Sequence, residues 1–336
     1  MTISSREPRG SLLLTRRDVI ALLDLDDCIA AVESAFRSHA QGRTLPPGVL
    51  GVPAADGGFH LKAAGIRENR PWFAVKCNGN FRHNAERYGL PAIQGLIILC
   101  DGDNGSPLAV LDSIEITILR TGAATAVAAK HLCRDDARTV TICGCGNQGK
   151  VQLRSIARVR PVQRVFAFDA DVTRAQRYAE EMRSECGIAV EVATDLSAAL
   201  RQSDACITCT PATSFFLRSE DVQPGTFVAA VGADSDIKQE IDPLLFARAK
   251  VVVDDIEQCA TIGDLHHALA AGIVSRADVH AELADLIAGR KPGRTSHDEV
   301  TLFDSTGVAL EDVAAAVLVY QRAIERGMGS LVDFGA

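Results

Sequence analysis

The chain has 336 residues, 47% of them apolar and 23% charged, with a formal net charge of -8. That length allows two domains with separate cores, and the acidic balance argues against a nucleic-acid partner. No apolar stretch reaches the ~18–20 residues of a membrane span. The polar start MTISSREPRG lacks a secretory pattern and the ten cysteines are scattered, so a cytoplasmic protein with reduced thiols is expected.

Residues 12–41 read as helical in their second half, where Ile29, Val32, Ala35 and Phe36 recur at helical spacing. From 44 to 113 the texture changes to short apolar runs at 59–64, 72–78, 94–100 and 107–112, separated by Gly, Pro and Asn. Between the last two, Asn104-Gly105 is a hairpin signal. A mostly antiparallel sheet plus a helix is predicted. Within it, Lys76 stands in the apolar run Ala74-Val75-Lys76-Cys77-Asn78 and shares a face with Ala74 and Asn78; a core-facing charge there is costly unless paired.

An Ala-rich helix over 116–132 carries Arg120 near its start, where a planar guanidinium suits bidentate capture of a carboxylate. It leads into a β-branched run at 138–143 that stops in Gly144-Cys145-Gly146-Asn147-Gln148-Gly149. This is the Gly-x-Gly-x-x-Gly turn of a dinucleotide-binding unit, with a helical pattern directly after it. Gly144 permits the tight turn, Gly146 lets the backbone approach a pyrophosphate, and Gly149 lets the helix pack closely on the sheet. Twenty residues on, the run Val165-Phe166-Ala167-Phe168 ends in Asp169. A carboxylate there accepts from ribose hydroxyls and repels a 2′-phosphate, so NAD is expected over NADP.

Helices at 172–185 and 195–201 then alternate with strands at 188–192, 204–209, 226–231 and 251–254, which specifies a covered parallel sheet. Asp234 follows the strand ending FVAAVG, at the edge where open α/β sheets place ligands. Thr210-Pro211, ending the run ACITCT, are expected on the nicotinamide side. Near Thr301 the pattern is read as leaving this unit, and 310–326 as a final amphipathic helix returning to the first part. The fold class is therefore α/β: a Rossmann-type doubly wound parallel sheet (126–304) inserted in a second, α+β domain built from both chain ends (1–125 plus 305–336). Cys206 and Cys209, spaced C-x-x-C, have no second pair to complete a zinc site and read as core thiols. No metal is expected, at these or at His266, His267 and His280.

Several segments together resemble the ornithine cyclodeaminase/mu-crystallin family: Gly95–Leu99, Pro107–Asp112, 116–124, Gly144–Gly149, Val231-Gly232-Ala233-Asp234 and Ser305-Thr306-Gly307-Val308-Ala309-Leu310-Glu311-Asp312. The resemblance runs from about residue 12 to 330. It implies a homodimer in which the split domain builds the dimer interface and much of the substrate pocket, with hydride transfer at the α-carbon of a small amino or imino acid. It further implies that Lys76 and Arg120 bind the substrate carboxylate and that Asp234 is an acid/base beside its amine. Lys76 would also polarise a carbonyl. Asn147, Gln148 and Thr121 join the glycines, Asp169, Thr210 and Pro211 as cofactor contacts. Where the family commonly has an arginine after the first helix, this chain has Gly48, and Lys62 is the candidate for the missing charge. Ornithine cyclodeamination to proline and ammonia is the leading expectation. Amino-acid dehydrogenation of the alanine dehydrogenase kind, cyclic ketimine or 1-pyrroline-2-carboxylate reduction, and a non-catalytic NAD- and ligand-binding role stand as alternatives.

Overall fold

Residues 10–68 and 70–336 are described by the computed structural model; the polar start read for a targeting signal lies outside this range except for Gly10. The chain forms two compact units, one running up to Arg120 and resuming at Val308–Ala336, the other Thr121–Gly307. The first division thus falls inside the helix Ile114–Leu132, where the sequence reading put the domain limits at 125/126 and 304/305.

The first unit is organised by a seven-stranded sheet in the order Ser330–Val332, Ser11–Leu14, Pro107–Asp112, Ile93–Asp101, Pro71–Asn80, Gly57–Arg67, Thr44–Ala54. Pairing is antiparallel from Pro107–Asp112 to Thr44–Ala54, while Ser11–Leu14 joins Pro107–Asp112 in parallel. The strand Thr44–Ala54 was not among the predicted runs, because Pro46 and Pro47 cannot donate to a ladder. It tolerates them as the outermost strand, with a register shift between Leu45 and Gly48. Alternation along Pro71–Asn80 buries Trp72, Ala74, Lys76 and Asn78 on one face. The helix Ala309–Arg326 packs on that face, with Tyr320 edge-on to Trp72 at 6.0 Å between centroids. The register aligns Leu50, Val52, Phe59, Leu61, Leu96 and Ile98 on the opposite face, where Leu96 remains 54% and Leu50 56% exposed.

The second unit holds an eight-stranded sheet in the order Ala281–Glu282, Lys250–Val253, Thr301–Asp304, Phe227–Ala230, Ala205–Thr208, Thr139–Cys143, Arg164–Phe168, Ala189–Val192, parallel throughout. Four of its helices begin at Asp171, Asp195, Asp242 and Asp255, whose carboxylates accept otherwise orphan N–H groups, as Asp171 does from Thr173 and Arg174 and Asp255 from Gln258. The chain leaves this unit after Gly307, where the sequence reading had the pattern leaving near Thr301 and the limit at 304/305. Thr301–Asp304 is an interior strand between Lys250–Val253 and Phe227–Ala230. At four residues flanked by turn-rich sequence it is too short to announce itself, yet all four are buried. Thr213–Leu217 and Gln239–Ile241, also unpredicted, form a separate two-stranded parallel pair.

Candidate active site

Chain order in the large sheet reverses beside Thr139–Cys143: Arg164–Phe168 lies on one side and Ala205–Thr208 on the other. Such a switch point opens a crevice at the carboxyl ends of the strands. The glycine turn occupies it. Gly144 takes φ +102°, and its N–H donates to the Phe168 carbonyl at 2.9 Å. The helix Asn147–Val159 starts from Gly146, which offers no side-chain cap, so its first N–H groups face outward as an anion seat. A Cβ at Gly149 would stand 2.1 Å from the Gly144 carbonyl oxygen, whereas one at Gly146 would meet nothing within 4 Å. Gln148 leaves Oε1 buried without a hydrogen-bond partner, and Asn147 is exposed. An open cradle at Gly146 and a bare helix start together fit the pyrophosphate of NAD.

Asp169 lies at the end of the neighbouring strand. Its Oδ2 accepts from the Cys145 N–H at 2.8 Å, within the glycine turn, and Oδ1 accepts from the Asp171 N–H at 2.9 Å. The Arg174 guanidinium stands 4.0 Å away. Asp169 therefore fixes the glycine turn from the end of the neighbouring strand.

At the next strand ends, Thr210 is half-buried and Pro211 exposed. Asp234 is exposed and paired with Lys238 at 2.6 Å, and Lys238 Nζ also donates to the Gly232 carbonyl at 3.3 Å. Thr121 lies in the helix Ile114–Leu132, directly after Arg120.

In the first unit the structure brings Lys76 and Arg120 together. Both meet the first turn of the helix Ala309–Arg326. Lys76 Nζ is 2.6 Å from Asp312 Oδ2, Arg120 Nη1 2.8 Å from Glu311 Oε2, and Arg120 Nε 3.1 Å from Asp312 Oδ1. Lys76, Arg120, Glu311 and Asp312 are all buried. Burial pulls the Lys76 ammonium down to about 8, with Arg120 and Lys62 adding to the effect and Asp312 opposing it. Burial pushes the Asp312 carboxyl up, but Lys76 and Arg120 outweigh it and hold the group below its usual range. Lys62 sits directly opposite Lys76 in the ladder, on the same face, whereas Gly48 pairs with Ala63 and so faces the other way. Lys62 thus stands close enough to act electrostatically on both Lys76 and Asp312.

Residues 9–327 match the model of the ornithine cyclodeaminase/mu-crystallin family. This chain belongs to that family. The alanine dehydrogenase of Archaeoglobus fulgidus is 36% identical over 324 residues, covering 96% of this chain and 98% of its own. A solved archaeal alanine dehydrogenase dimer with bound NAD superposes with a TM-score of 0.92 at 36% identity, covering 97% of this chain and 99% of its own. The Thermococcus litoralis Delta(1)-pyrroline-2-carboxylate reductase, solved with NADH and L-proline, gives 0.91 at 32% identity, covering 96% and 100%. The α/β architecture with an inserted parallel sheet is the one these structures share.

Sequence reasoning on this cyclodeaminase-family chain quoted Glu311 and Asp312 only as part of a motif. Their signal was present: two acids opening an otherwise apolar helix, the same anomaly that singled out Lys76 and Arg120. Lys238 was also missed: it meets Asp234 across a turn, where sequence spacing announces no pair. The Cys143 and Cys206 sulfurs lie 4.0 Å apart in the core. His267 bonds the Lys238 carbonyl and His280 the Pro292 carbonyl. Among the described residues there is no cluster able to hold a metal, and no helix is long and apolar enough to cross a membrane.

Proposed function

We propose that this family member is an NAD-dependent oxidoreductase acting at the α-carbon of a small amino or imino acid, with reduction of a 2-imino or cyclic ketimine acid as its main reaction. The observation that carries this reading is the buried pair of cations, Lys76 and Arg120, held side by side by Glu311 and Asp312. Arg120 with Lys76 supplies the donors to orient an α-carboxylate. Bound NADH would supply the hydride. Asp312 and Glu311 hold the two cations in place before substrate arrives. Asp234, ion-paired with Lys238, would orient the substrate nitrogen as a hydrogen-bond acceptor, and the proton that completes the amino acid is drawn from solvent.

Lys62 also argues on substrate. A diamino acid such as ornithine brings a second ammonium toward Lys62, Lys76 and Arg120, where like charges repel. An imino acid carrying only the carboxylate does not. Cyclodeamination of ornithine is accordingly the second reading, favoured by kinship with the family as a whole. Absorbance of NADH with Delta(1)-pyrroline-2-carboxylate, pyruvate plus ammonia, L-alanine, L-proline and L-ornithine separates the cases. Stoichiometric NADH consumption with an imino acid is expected. Ornithine consumed with ammonia release and no net change in NADH would select cyclodeamination, and tight NADH binding without turnover of any of them would leave a binding protein. A homodimer through the exposed apolar sheet face around Leu50, Phe59 and Leu96 belongs to the same reading, and the mass in solution checks it.

Lys76 gives the reading a pH signature. An ammonium with pKa about 8 is charged below that pH and lost above it, so the KM for the imino acid should rise as pH increases through about 8. In Lys76→Arg, whose guanidinium stays charged, the rise should vanish. A KM flat between pH 7 and 9 in the parent protein would remove Lys76 from carboxylate binding.

A further inference from the structure

Away from the glycine turn and the cation cluster, four carboxylates lie buried in a row in the second unit: Asp254, Asp304, Asp264 and Glu240. Each ties down neighbouring backbone. Asp254 Oδ2 accepts from the Gly307 N–H at 2.7 Å, and Asp304 from the N–H groups of Asp264 and Leu265 at 3.3 and 2.8 Å. Asp264 Oδ1 accepts from the N–H groups of Glu240 and Ile241 at 2.8 and 2.9 Å. Burial raises the carboxyl of Asp264 to about 7 and raises that of Glu240 as well.

Glu240 ends the row at the ligand edge of the sheet. Its Oε2 accepts from Thr208 Oγ1 at 2.7 Å and from the Gly232 N–H at 2.9 Å, and its Oε1 from the Thr210 N–H at 2.6 Å. These donors follow two adjacent strands, Ala205–Thr208 and Phe227–Ala230. The approach is so close that a Cβ at Gly232 would lie 2.5 Å from Glu240 Oε2 and 2.6 Å from the Thr210 carbonyl oxygen. A carboxylate suits this junction, because both its oxygens accept; an amide has one acceptor oxygen and would set its own N–H₂ against one of the donors.

We propose that Glu240 is a positioning residue for the nicotinamide end of the cofactor site: by tying Thr208 and Thr210 to Gly232 it fixes the two loops that carry Thr210-Pro211 and Asp234. The proposal rests on the reading that those loops serve the nicotinamide, and it separates that end of the dinucleotide from the end seated on Gly146 and Asp169. It is tested on the full chain with Glu240→Gln and the milder Thr208→Val, by titration with NADH and, separately, with ADP-ribose, which keeps the pyrophosphate and adenosine but lacks nicotinamide. In Glu240→Gln the Kd for NADH should rise about tenfold, the loss of one charge-assisted hydrogen bond, while that for ADP-ribose stays within about twofold. Thr208→Val should shift the NADH value in the same direction by less, and it keeps the test open if the first variant does not fold. Equal weakening of both ligands, or an unchanged Kd for NADH in both variants, would overturn the positioning role. A parent protein that binds neither ligand would overturn the dinucleotide reading itself.

Discussion

Arg120→Met is expected to lower kcat/KM for the imino acid by roughly 100- to 1,000-fold, the usual cost of removing one partner of a desolvated, hydrogen-bonded charge pair. Stability should fall too, by about 3–5 kcal/mol, because the buried Glu311 and Asp312 lose a cation they face. The two effects are separable. Glu311→Gln added to Arg120→Met removes the stranded charge, so the double variant should recover part of the thermal stability lost by the single one. Activity should not return, since the recovered group holds no substrate. If the double variant regained both, Arg120 would be acting only through the fold. If the single variant kept its kcat/KM, the guanidinium would have no part in orienting the carboxylate. Steady-state kinetics and thermal unfolding on the same three proteins decide this.

What the sequence made legible follows from how local each signal was. The glycine turn, its strand and its helix are contiguous, and Gly149 is constrained by Gly144 within the motif itself, although the space at Gly144 is closed by Cys209 and Thr210 from a distant strand end. Lys76 and Arg120 stood out as charges in apolar runs, and burial of both in the structure accounts for that pattern. What stayed hidden depended on distant pairing. Asp312 meets Lys76 across more than two hundred positions of sequence, and nothing near either residue names the other. Glu240 reads as an ordinary acid in Gln239-Glu240-Ile241 until the fold sets it under Gly232 and Thr210. Short buried strands such as Thr301–Asp304 failed for a related reason: four residues cannot display a period, and their identity comes from the two strands that flank them. The proline-bearing edge strand Thr44–Ala54 shows the converse, a local signal against a strand overridden by an edge position where the missing donors matter less.

The glycines of the turn should not fail alike. A side chain at Gly149 meets the Gly144 carbonyl at 2.1 Å. That neighbour is backbone and cannot swing aside, so Gly149→Val should push the helix Asn147–Val159 off the sheet. Overpacking of this kind reaches about 3 kcal/mol, a drop in Tm of roughly 6–12 °C for a unit of this size, with loss of NADH binding as a consequence of the displaced helix. Gly146 is different. Its backbone is extended, with φ -93° and ψ -162°, a conformation open to any residue, and the space beyond it is empty. Gly146→Val should therefore fold with a Tm near that of the parent protein. Its side chain would nevertheless fill the volume through which a pyrophosphate must pass to reach the helix N-terminus, and each charged hydrogen bond forfeited there is worth about 1.5–3 kcal/mol. NADH binding should weaken by at least ~100-fold in a protein that is otherwise intact. Thermal unfolding and NADH titration of the two variants make the contrast measurable: a Gly146→Val protein that binds NADH as tightly as the parent would show that no phosphate passes that residue.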